Sequence, residues 1–167
     1  HSAYHYPDRF NCVTRFLDQW IEKGEGDRTA LITPNDRWTY EHLYQQVNRI
    51  AHVLVEDYAL VPGNRVLLRS ANNPMMLAAY LAVMRVGGIA VGTMPLLRST
   101  ELSDILNKAR ITHALCDWRL RDELEVCRDR APDLTTIGYF HSTASDGLEA
   151  LMDGKPTEYT AFDSAID

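Results

Sequence analysis

Asn73-Pro-Met-Met-Leu-Ala-Ala-Tyr-Leu-Ala-Val-Met-Arg-Val-Gly-Gly-Ile-Ala-Val-Gly-Thr-Met-Pro95 contains, in order, a helix start, a helix apolar on every side, a glycine stop and an apolar strand. Asn73 suits the cap, and Pro74 suits the first helical position, where the missing N–H has no partner to lose. No charged residue interrupts Pro74 to Met84, so no face of this helix is written for water. Such a helix is covered on both sides. Gly87-Gly88 supplies the left-handed conformation that ends it. Ile89 to Thr93 then reads as a short strand buried on both faces, the mark of a parallel sheet.

Working outward, the same alternation recurs. Pro62-Gly63 turns into a strand over Arg65 to Arg69, which precedes the helix just described. After Pro95, Ser99 is placed to cap a helix with Leu102, Ile105, Leu106 and Ala109 inward. A strand follows at Thr112 to Cys116, then a helix from Trp118 to Arg130 with Leu120, Leu124 and Cys127 on one face, then a strand from Leu134 to Phe140. Strands alternating with helices over short links predict an α/β fold: a mainly parallel sheet with helices on both faces. Upstream, Asn11 is placed to cap a helix facing inward through Val13, Phe16, Leu17, Trp20 and Ile21. Thr29–Thr33 and Arg37–Thr39 flank a Pro34-Asn35-Asp36 turn as a hairpin. Thr39 caps a longer helix with Leu43, Val47, Ile50, Ala51, Leu54, Val55 and Tyr58 on one face. Residues 1–10 read as an irregular start, disordered or not native to the chain, residues 11–140 as the α/β body, and 141–167 as an acidic linker with one or two helical turns near Gly147–Met152.

Composition agrees with a soluble globule: 46% hydrophobic and 24% charged among 167 residues. The net charge of −6 is concentrated after Ser145, where six acids face Lys155 alone. A nucleic-acid surface would need clustered Lys and Arg, which the sequence lacks. No apolar run reaches the ~20 residues of a membrane span. Cys12, Cys116 and Cys127 are odd in number and widely spaced, against zinc or a disulfide framework, so the expected setting is reducing and cytoplasmic.

In open α/β sheets, ligands bind beyond the carboxyl ends of the strands, which selects Ser70–Asn73, Thr93–Arg98 and Asp117–Arg119. A dinucleotide fingerprint needs glycines between a strand and the following helix; Gly87 and Gly88 lie between a helix and the following strand, the wrong side. Asp117 stands where a phosphoacceptor would, but no acidic pair and no late-strand lysine accompany it, so it is better read as a helix cap. His141-Ser-Thr-Ala-Ser-Asp-Gly147 has no lysine after it and reads as a surface loop. The six histidines show no metal spacing, and His42 and His52 belong to helix surfaces. Arg98 alone is kept as a candidate anion contact: a cation past a strand's carboxyl end and near a helix start. The residues by themselves show no catalytic constellation.

Several segments in order resemble the amino-terminal region of acyl-CoA synthetases, the adenylate-forming AMP-binding ligases. They are Gly26-Asp-Arg-Thr-Ala-Leu-Ile, Arg37-Trp-Thr-Tyr-Glu-His-Leu, Asn48-Arg-Ile-Ala, Val61-Pro-Gly-Asn-Arg-Val-Leu-Leu, Asn73-Pro with the helix above, and Pro95-Leu-Leu-Arg-Ser-Thr-Glu-Leu102. The opening Tyr6-Pro-Asp-Arg-Phe-Asn-Cys and the Asn48 to Arg98 wording are most similar to benzoate and 2-aminobenzoate CoA ligases. The resemblance implies a parent enzyme that uses ATP, Mg2+ and coenzyme A to convert a small carboxylic acid into its acyl-CoA by way of an acyl-adenylate. It also implies that the remaining subdomains of the same ligase are the partners of this one. The phosphate-holding Ser/Thr- and Gly-rich loop that ends in lysine is not in the sequence. Tyr159-Thr-Ala-Phe-Asp-Ser-Ala-Ile-Asp167 resembles the lead-in to it, so this chain is expected to be the non-catalytic amino-terminal part, with no catalytic residue or metal ligand of its own and no cofactor bound by it alone. Some relatives place an arginine for a coenzyme A phosphate directly after the proline matching Pro95; here Leu96 stands there and Arg98 follows two residues on. The alternative is a stand-alone, non-catalytic α/β binding module. If a neighbouring subdomain normally covers part of the uncharged helix, this chain by itself is expected to expose an apolar patch there and self-associate.

Overall fold

The computed structural model describes residues 7–164; the first six residues of the expected irregular start and the last three of the expected linker lie outside the described residues. Six strands and six α-helices are named here in chain order. A π-helical turn (Thr14–Asp18) runs into α1 (Gln19–Glu22), followed by the hairpin β1 (Thr29–Ile32) and β2 (Arg37–Thr39) and by α2 (Tyr40–His52). Then come β3 (Arg65–Arg69), α3 (Pro74–Arg85), β4 (Ile89–Thr93), α4 (Ser99–Lys108), β5 (His113–Asp117), α5 (Arg121–Glu125), β6 (Thr136–Phe140) and α6 (Leu148–Met152).

β3 to β6 form one parallel sheet in the order β4-β3-β5-β6, and the hairpin forms a separate antiparallel pair. The period-2 alternation of strand side chains divides the core in two. Val66, Leu68, Leu115 and Phe140 face α2, α3 and α6; Leu67, Ala114 and Cys116 face α4 and α5. The sheet grows toward one edge from β3 to β4 and toward the other from β5 to β6, so the ligand-binding switch point of a wound sheet falls beyond Arg69 and Asp117.

α3 is covered as its composition requires. Met75, Ala78, Ala79, Leu81, Ala82 and Val83 are buried between the sheet and α2, and only Tyr80 reaches substantially into solvent. Asn73 Oδ1 accepts from the Met76 N–H at 2.9 Å, and Gly87 ends the helix at φ +80°. Thr39 Oγ1 likewise caps α2 through the His42 N–H.

Several local expectations change. β4 is an edge strand with Ile89 exposed rather than a strand buried on both faces, and Phe16 and Val55, expected on inward helix faces, reach solvent. Ser99 does not cap α4: its N–H is met at 2.8 Å by the Glu123 carboxylate, so the cap comes from a different helix and no local motif announces it. The helix expected over Trp118–Arg130 breaks into a 3-10 turn (Trp118–Leu120), α5 and a second 3-10 turn (Arg128–Arg130). His52 is not free on its helix surface, because its ring lies between the Glu56 carboxylate and the Glu158 carbonyl.

The segment after α6 is bonded along its length. Lys155 Nζ lies 2.6 and 2.7 Å from the carboxylates of Glu56 and Asp57. Asn48 donates to the Thr157 carbonyl, His52 Nε2 to that of Glu158, Arg85 to that of Tyr159, and Asn11 to that of Phe162. The strap closes where the Phe10 N–H donates to the Ser164 carbonyl at 2.9 Å. Asn48, His52, Arg85 and Asn11 thus each give a strap carbonyl a partner outside any strand or helix.

Candidate functional site

Two of the three carboxyl-end loops meet and one stands apart. The loop after β4 and the turn after β5 enclose a cleft of about 320 Å3, lined by Arg69, Pro95, Leu97, Arg98, Leu120 and Glu123 among others. Ser70–Asn73 turns toward α3 instead, with Asn73 Nδ2 donating to Ser70 Oγ and the Ala71 carbonyl. It borders an apolar cleft of about 450 Å3 together with Leu31, Ile32, Met76, Leu77 and Tyr80.

Arg98 stands at the mouth of the first cleft with its side chain 79% exposed. Its Nη1 donates to Glu123 Oε1 at 2.8 Å, and the other oxygen of that carboxylate takes the Ser99 N–H. Arg98 holds Glu123 below the ordinary glutamate range, aided by the Ser99 N–H. The Nε and Nη2 donors of Arg98 have no protein partner among the described residues, so an anion can be met from the solvent side while the Glu123 pair stays closed. Arg69 lies beneath, buried, and was not singled out by the sequence reading; the signal available was a charge ending an otherwise apolar strand.

A second polar group sits at the ends of β5 and β6. Asp117 is 1% exposed, and Oδ1 caps the following turn through the Arg119 N–H at 3.0 Å. The Arg119 guanidinium grips both carboxylate oxygens at 2.8 and 2.5 Å, and His141 Nδ1 lies 2.9 Å from Oδ2. Burial alone would raise the Asp117 carboxyl; the Arg119 and His141 contacts outweigh it and hold the group well below the usual carboxylate range. His141 reaches this position from a left-handed backbone, φ +55°. The arrangement is a sealed cap, with the carboxylate spent on its own neighbours rather than free for chemistry.

Cys116 and Tyr139, close to this cap, are poorly disposed to act as nucleophiles. Burial pushes the Cys116 thiol up to about 12. Tyr139 is raised by burial and by the Glu125 carboxylate to which its hydroxyl donates. No cluster of metal-ligating side chains occurs among the described residues, and no helix there is long and apolar enough to cross a membrane. The Ser142–Gly147 loop closes on itself, Ser142 Oγ accepting from the Ala144 N–H and the Gly147 N–H donating to the Ala144 carbonyl, so it offers no open phosphate cradle.

Comparison with known proteins gives the family. Malpinin synthetase of Mortierella alpina is 33% identical over 116 residues, covering 70% of this chain but 2% of that protein. The salicylyl-CoA synthase / salicylate adenylyltransferase of a Streptomyces species is 30% identical over 125 residues, covering 74% of this chain and 22% of that protein. An anthranilate CoA ligase, AuaEII, solved in complex with anthranoyl-AMP, shares the fold with a TM-score of 0.87 at 22% identity, covering 96% of this chain and 30% of that one. The chain therefore spans less than a third of the length of each of these relatives. The family described as AMP-binding enzyme matches residues 17–160, nearly the whole α/β body and its strap, and the chain belongs to that family.

Proposed function

We propose that this chain is the amino-terminal structural subdomain of an ATP-dependent acyl- or aryl-CoA ligase that converts a small carboxylic acid, ATP and coenzyme A to acyl-CoA, AMP and pyrophosphate. The observation that carries the reading is the family match across residues 17–160 in a chain that covers about 30% of the structures sharing its fold. In this reading residues 11–140 are the scaffold, and 141–167 lead toward the ATP-binding loop. Mg2+ enters with ATP in the parent, and the phosphate-holding residues belong to segments outside this sequence. Benzoate or 2-aminobenzoate is the substrate class, in keeping with relatives named for salicylate and anthranilate.

Within the scaffold, Arg98 is the residue we assign to a coenzyme A phosphate, through the Nε and Nη2 donors that Glu123 leaves free. The apolar cleft between β1 and α3 is the surface that the remaining subdomains cover, and on the isolated chain it favours self-association. The protein is expected to work in the cytoplasm.

The test is ATP–pyrophosphate exchange with benzoate and 2-aminobenzoate, run on this chain and on the product of the gene read past codon 167. Exchange from the longer product and none from this chain supports the reading. A stop codon directly after Asp167, or robust exchange from the 167 residues alone, sinks it in favour of a stand-alone binding module or a different active site.

A further inference from the structure

Arg69 is a buried cation without an acid partner among the described residues. Its side chain ends β3 on the face of α4 and α5 at 2% exposure, and no carboxylate among the described residues pairs with it. Three carbonyls take its place. Nε donates to Leu120 at 3.2 Å, Nη2 to Leu97 at 3.0 Å and Nη1 to Met94 at 3.4 Å. Met94 and Leu97 bracket the bend that ends in Arg98, whereas Leu120 belongs to the turn after β5.

Burying a guanidinium is costly unless its donors are met, so the site persists because the loops satisfy it. The reverse also holds: removing the fork strands three carbonyls at the floor of the cleft. A planar five-donor head can reach two loops at once, which a single ammonium cannot do with the same geometry. At the rim Arg98 ties the first of these loops to Glu123 of α5, the helix that follows the turn.

We propose that Arg69 is a positioning residue that latches the Met94–Arg98 bend to the Trp118–Leu120 turn and thereby fixes where Arg98 stands. The consequence for coenzyme A rests on the ligase reading above; the latch itself does not.

The experiment compares wild type, Arg69→Met and Arg69→Lys in the complete ligase by hydrogen exchange, by KM for coenzyme A and by ATP–pyrophosphate exchange. Arg69→Met is expected to speed hydrogen exchange about tenfold at residues 94–102 and 118–123 while α2 and α3 keep their protection. It is expected to raise KM for coenzyme A about fivefold and leave pyrophosphate exchange within a factor of about two. Lysine restores part of both effects, and if the methionine variant fails to fold, the lysine variant shows the same local loosening at smaller size. Uniform loss of protection, or loops as protected in the variants as in wild type, overturns the proposal; loosened loops with an unchanged KM for coenzyme A keep the latch and overturn the assignment of Arg98 to a coenzyme A phosphate. A wild-type protein without pyrophosphate exchange ends the ligase reading instead; local loosening in the variants then still sustains the latch, and uniform loosening sinks it.

Discussion

The guanidinium of Arg85 meets the carboxylate of Asp18 through two bonds of 2.7 and 3.0 Å, with the arginine side chain 2% exposed. The same head donates to the Tyr159 carbonyl from Nε and Nη2 and lies over the Tyr44 ring. One residue at the end of α3 thus joins the amino-terminal helical turn, α2 and the strap. Removing one partner of a buried pair leaves a charge without compensation. Asp18→Ala is therefore expected to lower stability by about 3 kcal/mol, read from the urea midpoint of the 167-residue chain. A loss under a few tenths would mean that water replaces the carboxylate freely.

Asn11 does similar work with one amide. Its Nδ2 donates to the Met84 carbonyl at 2.9 Å and to the Phe162 carbonyl at 3.0 Å, while its Oδ1 accepts from the Val13 N–H. Asn11→Ala is expected to cost about 2 kcal/mol and to open residues 155–164 to limited proteolysis before the sheet is cut. Cleavage first in any other described segment would contradict the strap's dependence on this residue.

Gly87 combines φ +80° with the Phe162 ring, whose nearest atom would lie 2.6 Å from an added Cβ. Gly87→Ala should therefore cost about 2 kcal/mol, part from backbone strain and part from the ring. In the Phe162→Ala background the cost should fall to the strain alone, about 1 kcal/mol. Additive losses in that double-mutant cycle would show that the ring yields without cost.

Asp117 gives acid sensitivity a definite sign. Its carboxyl is held down in the folded state, so the unfolded chain binds the extra proton first as pH falls. The stability it contributes is complete above the unfolded value of about 3.9 and is lost progressively below it. Asp117→Asn should flatten the stability-versus-pH curve in that acid window while the wild type keeps falling. Parallel curves for the two proteins would assign the acid loss to other groups.

The cysteines should separate by burial. Cys116 is fully buried with its thiol pushed up to about 12, and Cys127 is fully buried, whereas Cys12 is half-buried. Alkylation at pH 8 followed by mass spectrometry is expected to label Cys12 in the native protein and all three only after unfolding. Native labelling at Cys116 would mean that β5 opens locally.

What was legible in the sequence was local. Asn73, Pro74 and Gly87 announce α3 because caps and left-handed turns depend on neighbours within four residues, and strands alternating with helices over short links announce a parallel sheet, although β4 lies at its edge rather than buried on both faces. What escaped was long-range. Glu123 caps α4 from 24 residues away, Arg69 finds its partners in two separate loops, and Asn11 and Arg85 hold a strap more than seventy residues downstream. None of these side chains carries a spacing signal, because the fold supplies their partners. At the cleft the sequence pointed to the bordering loops Thr93–Arg98 and Asp117–Arg119 and to Arg98 as a candidate, but not to Arg69 beneath it or Glu123 beside it.

The hydrogen bond between Phe10 and Ser164 has a topological meaning. Residues near the two ends of the described body meet there, so the amino-terminal turn and the strap brace each other: neither can fray without first releasing the other.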